Sequence, residues 1–275
     1  MSPYEYVKEL LYEKKITLVS SIPLRECKIL REYKLKSRGL DVNEKLCVYM
    51  IAVPYKCENI CDTNISEYAI CRDYHLFYSE LFLEITKKLE DKFSGYRFCG
   101  FADSSPIDEI HAAARSGLGI VGKNGMLITE KYSSFVFLGE IITNFPESLF
   151  TITEISECEN CGACISVCPK LKHGECLSSL TQKKGSLTEN EISIIKEYGS
   201  AWGCDICQAV CPHTKRAIKS KTIYTNIDFF KEHLTPKLTR EMIENMSDEE
   251  FLHRAYSWRK KETILRNLDV IGKAD

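Results

Sequence analysis

Residues 158–169 read CENCGACISVCP and residues 203–212 read GCDICQAVCP. Cys158, Cys161, Cys164 and Cys168 stand as C-x2-C-x2-C-x3-C before Pro169. Cys204, Cys207 and Cys211 stand as C-x2-C-x3-C before Pro212, and Cys176 lies between the two runs. Three thiolates this close in sequence can wrap three corners of an iron–sulfur cube. The chain must then leave, and the fourth corner is closed from elsewhere. Structural zinc usually takes paired C-x2-C units, and a triplet ending in Cys-Pro is not that pattern.

The first run is the bacterial ferredoxin spacing, whose fourth cysteine ligates the other cluster in two-cluster proteins. The expected assignment puts Cys158, Cys161, Cys164 and Cys211 on one 4Fe-4S cluster. Cys168, Cys176, Cys204 and Cys207 then hold the second. Such a chain is an electron-transfer protein or a redox enzyme working in one-electron steps. His173 and His213 flank these ligands and read as surface residues, since the thiols already fill the corners.

The rest of the composition agrees. The chain has 275 residues, fourteen of them cysteine, 44% hydrophobic and 28% charged, with a net charge of -2. No global basic field points to nucleic acid. The start MSPYEYVKELLYEKK is charged throughout and lacks the apolar core of a signal peptide. No apolar run approaches the roughly 18 residues of a membrane span. A cytoplasmic protein with no membrane contact is expected, so disulfides are not. Of the other cysteines, Cys47 and Cys99 read as core residues. Cys57 and Cys61, in a C-x3-C loop, read as incidental thiols.

Outward from the cysteines, three regions are expected: 1–150, 151–215 and 216–275. The fold class is α+β, with a first domain of α/β type, a ferredoxin-like module and a short helical C-terminus. Helices are predicted over 3–14, 65–92 and 188–198, and strands over 16–22, 47–55, 96–103 and 135–143. CVYMIAVPY (47–55) is nearly all apolar and should be buried on both faces. After the strand at 96–103, Ser105 is placed to cap a helix, with Pro106 in its first turn and Gly117 ending it. No repeat of 20–50 residues is evident.

A plain electron carrier has no need of the 150 residues ahead of the module. Here the sequence resembles a known family. Asp103-Ser104 with the following SPIDEIHAAARSGLGIVGKNGMLIT (105–129), FVFLGEIIT (135–143), YAICRDYH (68–75), GCDICQAVCP (203–212) and MSDEEFLHRAYSWRKKETILRN (246–267) together look like epoxyqueuosine reductase. The resemblance implies a corrinoid, cobalamin, in an N-terminal domain related to that of reductive dehalogenases. It implies reduction of the epoxide of epoxyqueuosine in a tRNA anticodon loop to queuosine, with electrons passing from the clusters to cobalt.

The family's proton donor falls on Asp103. A carboxylic acid is apt there, because an oxygen leaves an epoxide poorly unless protonated. A raised pKa at a buried strand end is expected for it. A helix-capping role is the structural alternative. Ile128, Gly139, Ser178 and the pair Cys204–Asp205 match corrinoid-contacting positions. His75 is not expected to ligate cobalt; Arg72, Asp73 and His75 read as a polar face near the substrate mouth. The glycines of 117–125 would let backbone approach a cofactor or its tail phosphate, with Lys123 beside them. HTKRAIKSK (213–221) and SWRKKE (257–262) are the candidate tRNA contacts, with solvated helix faces as the alternative reading of both.

The sequence departs from the family in three places. The family continues into helical repeats where this chain ends at Asp275, so a short form is expected. Pro169-Lys170-Leu171-Lys172 replaces the usual Pro-Thr-x-Ala, and Glu67 stands where arginine is usual. Alternatives are a corrinoid-dependent reductase of a small molecule or free nucleoside, and a non-catalytic carrier or corrinoid activase. A low-potential donor such as flavodoxin or ferredoxin and a monomeric state are expected.

Overall fold

The structure, a computed structural model, describes residues 1–272. Asp275, where the chain ends, lies outside them. Two compact units divide the chain: Met1–Tyr55 with Phe77–Asn160, and Lys56–Leu76 with Cys161–Asp275.

In the first unit, Ser2 and Glu5 form a capping box that starts α1 (Pro3–Glu13). β1 (Leu18–Pro23), α2 (Glu32–Ser37) and β2 (Cys47–Pro54) follow. Next come α3 (Tyr74–Lys92), β3 (Phe98–Phe101), α4 (Glu109–Arg115), the short hairpin β4 (Ile120–Val121) and β5 (Leu127–Ile128), and β6 (Val136–Thr143). The four-stranded sheet has the order β1-β2-β6-β3. Every pairing in it is antiparallel. This corrects the α/β expectation for the first domain, which implies parallel strands; the fold is mixed α+β.

The apolar run of β2 is buried at every position, as expected. Helices cover both faces of the sheet. Tyr49 meets Tyr4 of α1, and Tyr78 and Phe82 of α3 lie over Gly139. On the other face Val48, Met50, Phe101 and Ile142 pack with Ala112–Ala114 of α4. Each such aliphatic side chain contributes roughly 1.5–3 kcal/mol on burial.

The second unit is helical: α5 (Ala163–Ser166), α6 (Pro169–His173), α7 (Leu177–Thr181), α8 (Glu189–Tyr198), α9 (Ile206–Ala209) and α10 (Pro212–Lys219). α11 (Asp228–Lys231), α12 (Arg240–Asn245), α13 (Asp248–Leu252) and α14 (Lys261–Gly272) complete it. α8 keeps its expected bounds, fixed by a Thr188–Glu191 capping box and a left-handed Gly199. One core gathers around the fully buried Trp202 and Tyr256. Asn267 of α14, also fully buried, donates to the carbonyls of Thr181 and Ala201 at 2.7 and 2.8 Å, tying α14 to the loops of the module.

Two helix predictions are corrected. The helix expected over 65–92 begins only at Tyr74, because the preceding backbone is used elsewhere. Ser66 N–H donates to Trp202 O, and Asp73 N–H to His253 O. This also places 56–76 in the second unit. Ser105 does not cap α4; Asp108 does, accepting from His111 N–H at 3.1 Å. The chain passes from one unit to the other after Tyr55, after Leu76 and after Asn160. Among the described residues, no helix is long and apolar enough to cross a membrane.

Candidate functional site

None of the fourteen cysteines is in a disulfide. In the second unit the cysteines sit at repeated local positions. Cys168 and Cys211 are the N-caps of α6 and α10, each with proline as the first helical residue. Cys164 and Cys207 lie on the one-turn helices α5 and α9, which pack against each other. Cys161-x2-Cys164-x3-Cys168-Pro169 therefore recurs as Cys204-x2-Cys207-x3-Cys211-Pro212 in backbone as well as spacing. The shared spacing is legible in the sequence; the matching caps and short helices are not. Cys176 caps α7.

Cys158 belongs to the first unit. Its N–H donates to Val121 O at 3.0 Å, and its Sγ accepts Lys123 N–H at 3.3 Å. The glycine-rich stretch 117–125 thus serves a cysteine. Its glycines are explained by the hairpin itself: a Cβ at Gly119 would stand 2.5 Å from Ile128 O, and one at Gly122 would stand 2.9 Å from Ile128 Cδ1.

An all-thiol donor set, reduced and presented by two matching turn-and-helix units, fits iron–sulfur ligation. Among the described residues, no three His, Cys, Asp or Glu side chains converge as a metal-ion site. The cluster reading accordingly rests on thiol chemistry and the repeated backbone.

The corrinoid positions fit less well. Ile128 is buried in the hairpin. A Cβ at Gly139 would stand 2.6 Å from the Tyr78 ring, so this glycine is spent on helix packing. Asp205 is fully engaged: it accepts from Ser66 Oγ at 2.5 Å, Glu67 N–H at 2.6 Å and Gln208 Nε2 at 3.0 Å. Ser178 accepts from Gln182 at 3.0 Å. Cys204 is half-buried in the second unit.

Asp103 is exposed, just past the end of β3, in a left-handed conformation with φ 59°. That corrects the expectation of a buried strand end, and Asp103 does not cap α4. Its N–H donates to Glu109 Oε1 at 3.3 Å. Beneath it lie two acids that the sequence reading passed over. Glu140 of β6 is fully buried, and Ser105 Oγ donates to its Oε1. Burial, then the charge of Glu109, lifts Glu140 well above the usual carboxylate range. Burial, then the charge of Asp103, pushes Glu109 up to about 7. The one signal available was an acid in the middle of FVFLGEIIT, an otherwise apolar strand.

Glu67 is half-buried and paired with Lys56. His75 binds Asp73 at 2.7 Å and stacks on Tyr74, while Arg72 lies over Phe229 at 4.2 Å. His173 pairs with Glu197 at 3.1 Å. In the basic runs, Lys215, Arg216, Lys219 and Lys221 are exposed. Trp258 is 56% exposed, with Arg259 stacked on its ring at 3.9 Å.

No family profile matches the chain. Across 211 residues, 71% of the chain, it is 32% identical to the epoxyqueuosine reductase of Lactococcus garvieae (strain Lg2), covering 57% of that protein. The chain is a relative of the epoxyqueuosine reductases. It spans a little over half the length of the curated relatives it matches. The fold agrees. An epoxyqueuosine reductase structure from Streptococcus thermophilus superposes with a TM-score of 0.76 at 22% identity, covering 97% of this chain and 80% of that one. A crystal structure of epoxyqueuosine reductase with a tRNA-Tyr epoxyqueuosine-modified stem loop gives 0.71 at 23% identity, covering 98% and 81%. These relatives are named as reductases, a class of oxidoreductase.

Proposed function

We propose that this chain reduces epoxyqueuosine to queuosine in tRNA, with Asp103 as the proton donor. The observation that carries the reading is Asp103 itself. It is presented to solvent on a left-handed turn, inside the segment that resembles the reductases, above the half-buried Glu109 and the fully buried Glu140. Turning an epoxide into an alkene takes two electrons and two protons and releases the oxygen as water. Asp103 in its acid form can give one proton to the departing oxygen, which leaves poorly as an anion.

Cys158, Cys161, Cys164 and Cys211 would hold one 4Fe-4S cluster, and Cys168, Cys176, Cys204 and Cys207 the other. When bound, the clusters would supply single electrons and a corrinoid a strongly nucleophilic reduced metal. The corrinoid is inferred from the resemblance of 103–129 and 135–143, with Ile128, Gly139, Ser178, Cys204 and Asp205 as the inherited positions. The role given to Asp103 does not depend on it. tRNA as partner is supported by the stem-loop complex of the structural neighbour and by the exposed Trp258–Arg259 stack. That stack combines a base-stacking face with a positive charge. Flavodoxin or ferredoxin is the proposed donor class.

The test is anaerobic turnover after reconstitution with iron, sulfide and cobalamin, using epoxyqueuosine-containing tRNA and the free nucleoside side by side. Loss of one oxygen mass from the digested tRNA nucleoside is expected. Conversion of the free nucleoside alone would overturn tRNA as substrate. Conversion of neither would overturn the activity.

A further inference from the structure

A depression of about 410 Å³ opens between α2 and the end of β3, lined by Tyr33, Lys34, Ser37, Arg38, Phe101 and Ser104. That volume is in the range of small-ligand sites. β3 is an edge strand of the sheet. Cys99 Sγ donates to Arg38 O at 3.8 Å, which ties the end of α2 to that edge.

The charge of the depression is one-sided. Among the described residues its lining holds Lys34 and Arg38 and no acid. Arg97 adds a third cation alongside, since a Cβ at Gly39 would stand 3.1 Å from its Cζ. Neither guanidinium has a carboxylate partner among the described residues. Arg38 is exposed and lies over the Phe101 ring at 5.9 Å. Lys36 of the same helix differs, being paired with Glu32 at 2.6 Å. Lys34 gives two protons to Ser104 O and Oγ, both at 2.5 Å, and keeps a third donor. Ser104 Oγ accepts there, so its own proton is left to donate.

Tyr33 is 66% exposed beside these donors. Cations and hydroxyl donors take a phosphate, and an exposed aromatic ring stacks a base. An acidic peptide would use the cations and leave the ring idle. Ala102 and Ser104 both line the depression, and Asp103 lies between them in the chain. We propose that this depression holds a backbone phosphate of the RNA strand next to the reacting nucleotide. Arg38 and Lys34 take the phosphate, Arg97 strengthens the field, and Tyr33 stacks a neighbouring base. The proposal rests on the reading of tRNA as substrate and names the part of the first unit that grips it.

The test uses the whole chain and a fluorescently labelled anticodon stem loop. Arg38→Gln should weaken binding roughly tenfold. The slope of log affinity against log salt should become shallower by roughly 0.7. Tyr33→Leu should weaken binding by at least about fivefold at an unchanged slope, and Tyr33→Phe should restore it. Lys36→Gln, on the same helix but outside the depression, should change neither reading. In turnover, Arg38→Gln should raise KM for tRNA and leave kcat as it was. Circular dichroism checks that each variant folds. An Arg38→Gln effect no larger than that of Lys36→Gln overturns the inference. So does intact RNA binding with weakened docking of an acidic donor protein, which would give the patch to a protein partner. RNA binding weakened at Arg38 in a chain that does not reduce epoxyqueuosine keeps the site and sinks the proposed activity. Reduction in tRNA with KM unmoved by Arg38→Gln does the reverse.

Discussion

The sheet of the first unit and the cysteine-bearing half of the second are held in different ways. β2 and β6 are central strands buried almost throughout, with helices on both faces. The cysteine segment is built from α5, α6, α7 and α9, each of four or five residues. α5 buries no residue, and α6 buries only Pro169. Helices this short are not stable by propensity. On the proposed ligation this segment would draw its stability from the metal, while the sheet depends on transfer of apolar surface from water.

The largest expected effect breaks this contrast at the metal. Cys207→Ala should cost up to one cluster's iron and abolish turnover. Iron analysis checks it, and unchanged iron would contradict the ligand assignment. Stripping the iron should raise amide exchange over 161–176 and 204–219 while β2 and β6 stay protected. Equal loosening of both regions would remove the contrast. Asp103→Ala comes next: turnover should fall roughly 10²–10⁴-fold. Iron content and sheet protection should be unaltered, because the side chain is exposed at the end of β3.

A smaller effect lies inside the sheet unit. Glu109 holds its proton more tightly folded than unfolded, since burial lifts it to about 7. Its stabilising contribution is therefore complete below the ordinary glutamate range and is lost as pH rises through 7. About 3 kcal/mol should disappear across that window. Glu109→Gln should flatten the decline, as measured by urea unfolding of the sheet at several pH values. Smallest are two packing changes, one in each unit. Gly139→Ala drives a methyl into the Tyr78 ring, at a cost of about 1–3 kcal/mol. Asn267→Ala leaves the Thr181 and Ala201 carbonyls without their amide donor, also about 1–3 kcal/mol. Each should loosen amide exchange in its own unit first.

The cysteine spacing, the apolar run of β2 and the capped helix α8 were legible in the chain. Each is a local signal: ligand spacing, burial pattern, or a Thr188–Glu191 box closed within one turn. What failed to show depends on segments that meet only in three dimensions. Ser105 reads as a cap until Glu140 claims its hydroxyl. The stretch 65–73 reads as helix until Trp202 and His253 claim its backbone. The glycine-rich stretch 117–125 reads as a cofactor loop until Cys158 is seen hydrogen-bonded to it. Glu109 and Glu140 are ordinary acids in one dimension. They are lifted above the usual carboxylate range only because α4 packs on β6, where water is excluded and each charge disfavours the other.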